Sequence, residues 1–283
     1  MKYILSLILM SISFTQVFSS YDYLGSRATA MSGAVTSGDH IESGIFHNPA
    51  QLSNYSDFTI ISGYSNLYGL DFLPLSHIGI SINNYALNFE NISTKYGGNT
   101  LSSETTFGIA KGFELYSDRQ SLIQMGLRLN LYNYEFGQSA GTQGDGSNGI
   151  NLGTGNASGI DIGFQGILNK KYYIAYYIKN ISTYIEGSNL GESLPKNFSI
   201  GLSYLPYKDL ITSLDINQIS GSLDSEIRFG IEYKLMESFT IRTGLQSNPN
   251  RFSGGFEFGN ISYSFITHHV LPTTHQFSIA LNF

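Results

Sequence analysis

Along most of the chain, apolar and polar residues alternate with a period of two. In DSEIRFGIEYKL, Ile227, Phe229, Ile231, Tyr233 and Leu235 fall on one side of an extended strand. Arg228, Gly230, Glu232 and Lys234 fall on the other. SFTIRTGLQ sets Phe239, Ile241 and Leu245 against Thr240, Arg242, Gly244 and Gln246. RFSGGFEF sets Phe252, Phe256 and Phe258 against Arg251, Ser253, Gly255 and Glu257. SLIQMGLRLNLY, SGIDIGFQGI, KNFSIGLSYL and HQFSIALNF follow the same rule. The alternation predicts about fourteen strands, near residues 57–66, 74–82, 85–93, 104–116, 122–136, 159–168, 171–182, 196–205, 208–217, 224–235, 237–247, 250–258, 260–268 and 275–283.

A soluble β-sandwich also alternates. Two features point instead to a transmembrane antiparallel β-barrel. The polar faces mix full charges with glycine, as a water-filled lumen would, while the apolar faces are almost unbroken, as lipid requires. The linkers also alternate in length. Asn83-Asn84, Ser117–Ser121, Asn169-Lys170, Pro206-Tyr207, Met236-Glu237 and Gly259-Asn260 are tight turns. Between them lie Leu67–Leu73, Thr94–Ser103, Gly137–Ser158, Thr183–Pro195, Gln218–Leu223 and His269–Thr274; only the link near Ser247–Asn250 is shorter than the rule expects. Short turns at one end and long loops at the other, with an even strand count, characterise barrels of outer membranes. The last strand keeps its apolar stripe to Phe283. An unpaired strand edge in hydrocarbon costs several kcal/mol per group, so this strand is expected to close the cylinder against the first. Phe283 also looks like the terminal signal that the outer-membrane insertion machinery reads.

Composition narrows the functions. Charged residues are 13% of the chain and the net charge is −6, so no basic stripe exists to meet nucleic-acid phosphates. The absence of Cys excludes disulfides and thiolate metal sites. MKYILSLILMSISFTQVFSS has one cation, Lys2, an apolar run from Ile4 to Phe14, and small residues Val17 and Ser19 at positions suited to cleavage. Residues 1–19 therefore read as a signal peptide. No later apolar stretch is long enough for a transmembrane helix.

Residues 20–55 lack the two-residue period and are rich in Ala, Gly and Ser. The run Gly25-Ser26-Arg27-Ala28, then Met31-Ser32-Gly33-Ala34, Asp39, and Asn48-Pro49-Ala50-Gln51-Leu52 resembles the N-terminus of the PorV/PorQ-like outer-membrane proteins. These are similar to the FadL family of long-chain fatty-acid transporters. Leu194-Pro195 opening a strand, and a last strand from His275 to Phe283, extend the resemblance through the barrel. The chain departs from it at Ser32, where glycine is usual, and at His47, where an aromatic is usual. The resemblance implies a hatch ahead of the barrel, which in FadL relatives gates the path of a hydrophobic ligand. The residues themselves fit either a polar plug folded into the lumen or an exposed tail. The expected organisation is a signal peptide (1–19), a plug (20–55) carrying Gly25, Gly33, Asn48, Pro49 and Ala50, and a barrel (56–283).

The inward charges Arg128, Arg228, Glu232, Lys234, Arg242, Arg251 and Glu257 are expected to cluster in the second half of the barrel. They fit a selectivity patch, or, more commonly for such residues, cross-strand pairing. His268-His269 and His275 lack neighbouring acidic ligands, so no metal and no cofactor is expected. No spacing of Ser, His and Asp singles out a catalytic group. Gly144-Asp145-Gly146-Ser147-Asn148-Gly149 matches a dinucleotide fingerprint without the strand and helix it needs, and Asp145 as a calcium ligand is outweighed by a surface loop. Two functions follow: a passive channel for small hydrophobic molecules, or an accessory of protein secretion whose long loops dock a secretion-system protein. Outer-membrane lipid and the insertion machinery are the partners expected in either case.

Overall fold

A computed structural model of the 283-residue chain describes residues 21–96, 99–137, 141–142, 148–150, 153–186, 194–220 and 224–283. The residues expected to form a signal peptide, Gly144 and Asp145 lie outside this set, as do the central parts of the two longest expected loops. Among the described residues, fourteen antiparallel strands close into a barrel in sequence order. They are β1 (Thr59–Asn66), β2 (Pro74–Ile82), β3 (Tyr85–Tyr96), β4 (Asn99–Ser117), β5 (Ser121–Phe136), β6 (Thr154–Leu168), β7 (Tyr172–Glu186), β8 (Asn197–Tyr207), β9 (Leu210–Ile219), β10 (Glu226–Met236), β11 (Phe239–Gln246), β12 (Arg251–Phe258), β13 (Ile261–Ile266) and β14 (Thr274–Asn282). Closure is made by β1 against β14, in register from Thr59–Asn282 to Asn66–His275. Beyond the ladder, the Phe283 N–H donates to the Phe58 carbonyl and the two rings pack with centroids 5.6 Å apart.

The tight turns gather at one end of the barrel. Asn83-Asn84 and Asn169-Lys170 both have positive φ at their two central residues, the backbone of hairpin turns whose twist matches the strands they join. Long links occupy the opposite end. Here the expectation from alternation needs correcting: Thr94–Ser103 is not a loop but the tip of a hairpin, with β3 running to Tyr96 and β4 starting at Asn99. β6 likewise begins at Thr154 and β7 runs to Glu186. Above the lipid both faces of a strand meet water, so the apolar stripe stops although the hydrogen-bond ladder continues. Periodicity reports the bilayer, not the end of the strand.

Outward rows are apolar across neighbouring strands. Ile174, Leu202, Leu214, Phe229, Leu245 and Phe252 are successive register partners from β7 to β12, and all are exposed. Near the turn end an aromatic girdle includes Tyr85, Tyr116, Tyr172, Tyr207, Phe258 and Phe283, with Tyr172 and Tyr204 stacked at 5.0 Å. Such rings seat a barrel at the headgroup boundary. The lumen is not the water-filled space expected from the mix of glycine and charge. It is occupied by residues 22–54, which fold as helix α1 (Ser26–Ala30), helix α2 (Ile41–Phe46) and a 3-10 turn (Pro49–Asn54), nearly all buried. The plug leaves at the turn end, where Asn83 and Asn84 N–H groups donate to the Ser56 and Tyr55 carbonyls.

Leu202 lies midway along β8 on the apolar exterior. Leu202→Arg is expected to destabilise the barrel in lipid vesicles by about 2–4 kcal/mol, the cost of a cation at the midplane, as read by denaturant unfolding.

Candidate functional site

The plug is seated on inward-facing glycines. Gly112, Gly126 and Gly163 are register partners across β4, β5 and β6, forming one row without side chains. A Cβ on Gly126 would overlap the Pro49 carbonyl carbon, one on Gly112 the Ser53 nitrogen, and one on Gly163 the Asn48 side-chain oxygen. The Asn48-Pro49-Ala50 motif fits this groove because it caps itself. The Asn48 side chain accepts from the Ala50 N–H at 3.0 Å and donates to the Thr36 carbonyl at 2.8 Å, while Pro49 opens the 3-10 turn where no N–H is needed. A second pair, Gly230 and Gly244 on β10 and β11, receives Met31. Gly25 and Gly33 have φ of +89° and +79°, conformations open chiefly to glycine. The Glu42 carboxylate lies against Gly25 and the Arg228 guanidinium against Gly33.

The candidate charges do not form one cluster. Arg128, on β5, stands apart from the other candidates, 3.8 Å from Asp161 on β6, and donates to four carbonyls at the end of α2: Gly44 (3.0 Å), Ile45 (2.6 Å), Phe46 (3.2 Å) and His47 (2.9 Å). A cation at a helix C-terminus satisfies orphan carbonyls and the dipole together. Glu232 pairs across the ladder with Arg242 at 2.5 Å, and Arg242 with Glu257 at 2.7 Å. Glu232 also takes the plug's Arg27 Nε at 2.9 Å, which ties α1 to the wall. Arg228 pairs with Glu226 at 2.5 Å and with Asp22 of the plug at 3.3 Å. Arg228 and Arg251 stand over the Tyr23 ring at 5.5 and 5.3 Å. Lys234 belongs to none of these groups; it is exposed near the turn end, one residue before the outward Leu235. Residues that alternation did not single out complete the docking: Arg27, Glu42, Asp215 (accepting the Thr36 N–H at 2.8 Å) and Gln165 (accepting the Gly38 N–H at 3.0 Å). Their only signal was an inward position on a strand, or a place in the plug motif.

Several plug groups titrate away from their ordinary values, among them one carboxyl and two imidazoles. Burial pushes the Glu42 carboxyl up to about 7, against the pull of Arg242 and of the Arg27 N–H that its Oε1 accepts at 2.8 Å. Burial pushes His40 down to about 3 and His47 down to about 4. His47 is thus neutral and donates to the Leu24 carbonyl at 2.9 Å.

The plug–wall interface is two-sided. Over β5–β14 it is mainly polar and ionic. Against β1–β4 it is an apolar seam, where Leu24, Ile45, Phe46 and Leu52 of the plug pack on Ile61, Leu75, Ala86 and Ala110 of the wall. At the loop end Leu67 joins the seam, with Tyr21, Tyr68, Leu73 and Ile92 partly buried against it. Ile61, Leu75, Ala86 and Ala110 thus depart from the polar-inside rule that most inward residues follow. Buried polar side chains interrupt the seam, among them Ser65, Ser81, Asn88 and His77. His77 on β2 is 2% exposed, edge-on to Phe46 with centroids 5.1 Å apart, and neither ring nitrogen has a partner among the described residues. A buried unsatisfied group of this kind costs about 1–3 kcal/mol. Beside the seam, between the plug and the upper wall, is a cavity of about 20 Å³ lined by Tyr21, Leu24, Glu90, Ile92, Glu104, Thr106, Tyr132 and Lys179. It holds no more than a water-sized body.

Neither a protein-family model nor a curated protein sequence matches the chain. Its fold does match solved transmembrane barrels. The Pseudomonas putida toluene transporter TodX superposes with a TM-score of 0.57 at 12% identity, covering 94% of this chain and 98% of that one. The Ralstonia pickettii toluene transporter TbuX gives 0.57 at 13% identity, with 95% and 98% covered. A Pseudomonas aeruginosa FadL homologue gives 0.52 at 10% identity, with 90% and 97% covered. The chain therefore has the fold of FadL-type hydrocarbon channels.

Gly126→Val removes the space for Pro49. The barrel is expected to fold, shown by heat-modifiable migration, while ion conductance across planar bilayers rises because the plug no longer seats. The Glu42 shift has a defined sign. Its docked value is raised from 4.5 to about 7, so its contribution to docking is full below pH 4.5 and is lost as pH rises through 7. Glu42→Gln is expected to match the wild type in plug protease protection at pH 4.5 and to exceed it at pH 8. The lowered histidines act oppositely, weakening docking below pH 6.5 in both proteins.

Proposed function

We propose that this chain is a passive outer-membrane channel for small hydrophobic molecules, gated by the plug of residues 21–55. The observation that carries the reading is the apolar seam running from the loop end between the plug and β1–β4. A hydrophobic molecule that wedges into it exchanges one apolar contact for another and breaks no ion pair. The fold shared with hydrocarbon channels over nine-tenths of the chain supports the same reading. Signal-directed export, a greasy exterior and an aromatic girdle suit residence in the outer membrane, with Phe283 presented to the insertion machinery during assembly. Within this reading the PorV/PorQ-like motif serves to seat the plug: Asn48-Pro49-Ala50 fills the glycine row, and Gly25 and Gly33 give room to Glu42 and Arg228.

Uptake of radiolabelled toluene into proteoliposomes tests the proposal. Wild-type protein is expected to accelerate uptake, and Ile45→Asp, which buries a carboxylate in the seam, to slow it without loss of the folded barrel. Uptake no faster than in empty liposomes, together with lost co-purification of an envelope protein after shortening Gly137–Ser158 or Thr183–Pro195, would overturn it in favour of a secretion accessory.

A further inference from the structure

His77 has no structural employment that explains its cost. It stands inward on β2 between Leu75 and Gly79, so its own strand offers no polar neighbour. Gly63, its register partner on β1, leaves the space the ring fills; a Cβ there would overlap the imidazole. Its partner on β3 is Glu90, whose carboxylate instead accepts from the Asn88 amide at 2.9 Å. Neither ring nitrogen has a hydrogen-bond partner among the described residues, although Ser278, the other register partner of Gly63, lies beside the ring, so one donor and one acceptor stay unused. Leu or Phe would fill that volume without the penalty of an orphaned polar group.

We infer that His77 is the polar contact for a passing ligand, and that the preferred ligands are uncharged, compact hydrophobes bearing a single hydroxyl. This rests on the channel reading above and deepens it. A neutral imidazole offers one N–H and one lone pair, and a hydroxyl is the small group that meets either. A charged ligand would have to shed its water to enter the apolar contacts between Phe46 and the wall, so uncharged ligands are favoured by desolvation. Phe46 sets the shape. Its ring closes the seam edge-on to His77, and the space it yields on moving suits a single flat ring. The contact is made in transit, when Phe46 swings away with the plug, because the seam is packed when closed.

The test compares p-cresol with toluene, which differ by one hydroxyl, in proteoliposomes of wild type and His77→Phe. The ratio of p-cresol to toluene uptake is expected to fall about fivefold in His77→Phe, the worth of one hydrogen bond. An unchanged ratio overturns the inference. A second measurement does not depend on transport. Phe46→Ala opens standing room beside the imidazole, and the barrel's folding is checked by heat-modifiable migration. In that variant in detergent, the ¹⁵N resonances of His77, assigned by their absence in Phe46→Ala/His77→Phe, are expected to shift with p-cresol and not with toluene. No shift, or equal shifts with both, overturns the inference. If neither compound crosses the wild-type barrel while the p-cresol shift persists, the channel reading fails and the binding site stands.

Discussion

Hydrocarbon offers no partner to a backbone N–H or carbonyl, and that single deficiency organises this molecule. Every strand must be paired on both edges at membrane depth, so the sheet has no choice but to close, here through β1 and β14. Closure reverses the ordinary placement of side chains: the outer face meets lipid and becomes the apolar one, while the inner face is left to whatever fills the lumen. The plug can be polar, glycine-rich and only briefly helical because the wall, not lipid, satisfies its backbone. Arg128 bonding four carbonyls at the end of α2 is the clearest case, one side chain of the wall standing in for the next turn of a helix.

The two sides of the plug differ in what their separation would cost. On the β8–β14 side, Arg27 of the plug is paired with Glu232, itself held by Arg242 of the wall, and parting Arg27 from Glu232 would strand a buried ion at a cost of about 3–5 kcal/mol. On the β1–β4 side, Ile45, Phe46 and Leu52 meet Ile61, Leu75 and Ala86 through dispersion and exclusion of water alone. A hydrophobic molecule replaces such contacts almost in kind, whereas water does not. Under the proposed function, the interface resists solvent and yields to hydrocarbon. Within this scheme the same glycine rows that let the plug approach the wall also keep its polar half anchored when the apolar half gives way.

The barrel was legible because lipid imposes a strict rule on every second residue. Rows such as Ile174–Leu202–Leu214–Phe229 follow from that rule without any knowledge of tertiary contacts. Where lipid ends the rule lapses, and the hairpin tips beyond Ser93 and before Glu104 pass for loops. The candidate charges were readable as inward residues, yet not their partners. Arg128 and Arg242 look alike in the alternation and both face a carboxylate on a neighbouring strand, but only Arg128 also grips plug carbonyls. Lys234 obeys the same parity and still escapes the lumen, because it stands at the turn end.

By itself, then, the sequence determined the strand count, the sidedness of each strand and the presence of a distinct segment ahead of the barrel, since each depends on a residue's own polarity against a uniform solvent. Only the tertiary structure decided that inward glycines are a seat rather than a wet lining, that the plug is ionic on one side and apolar on the other, and that His77 stands buried and unpaired. Those outcomes depend on which segment meets which wall across the lumen. Residues such as Arg27 and Glu232, 205 positions apart, acquire their meaning only when the cylinder closes around the plug.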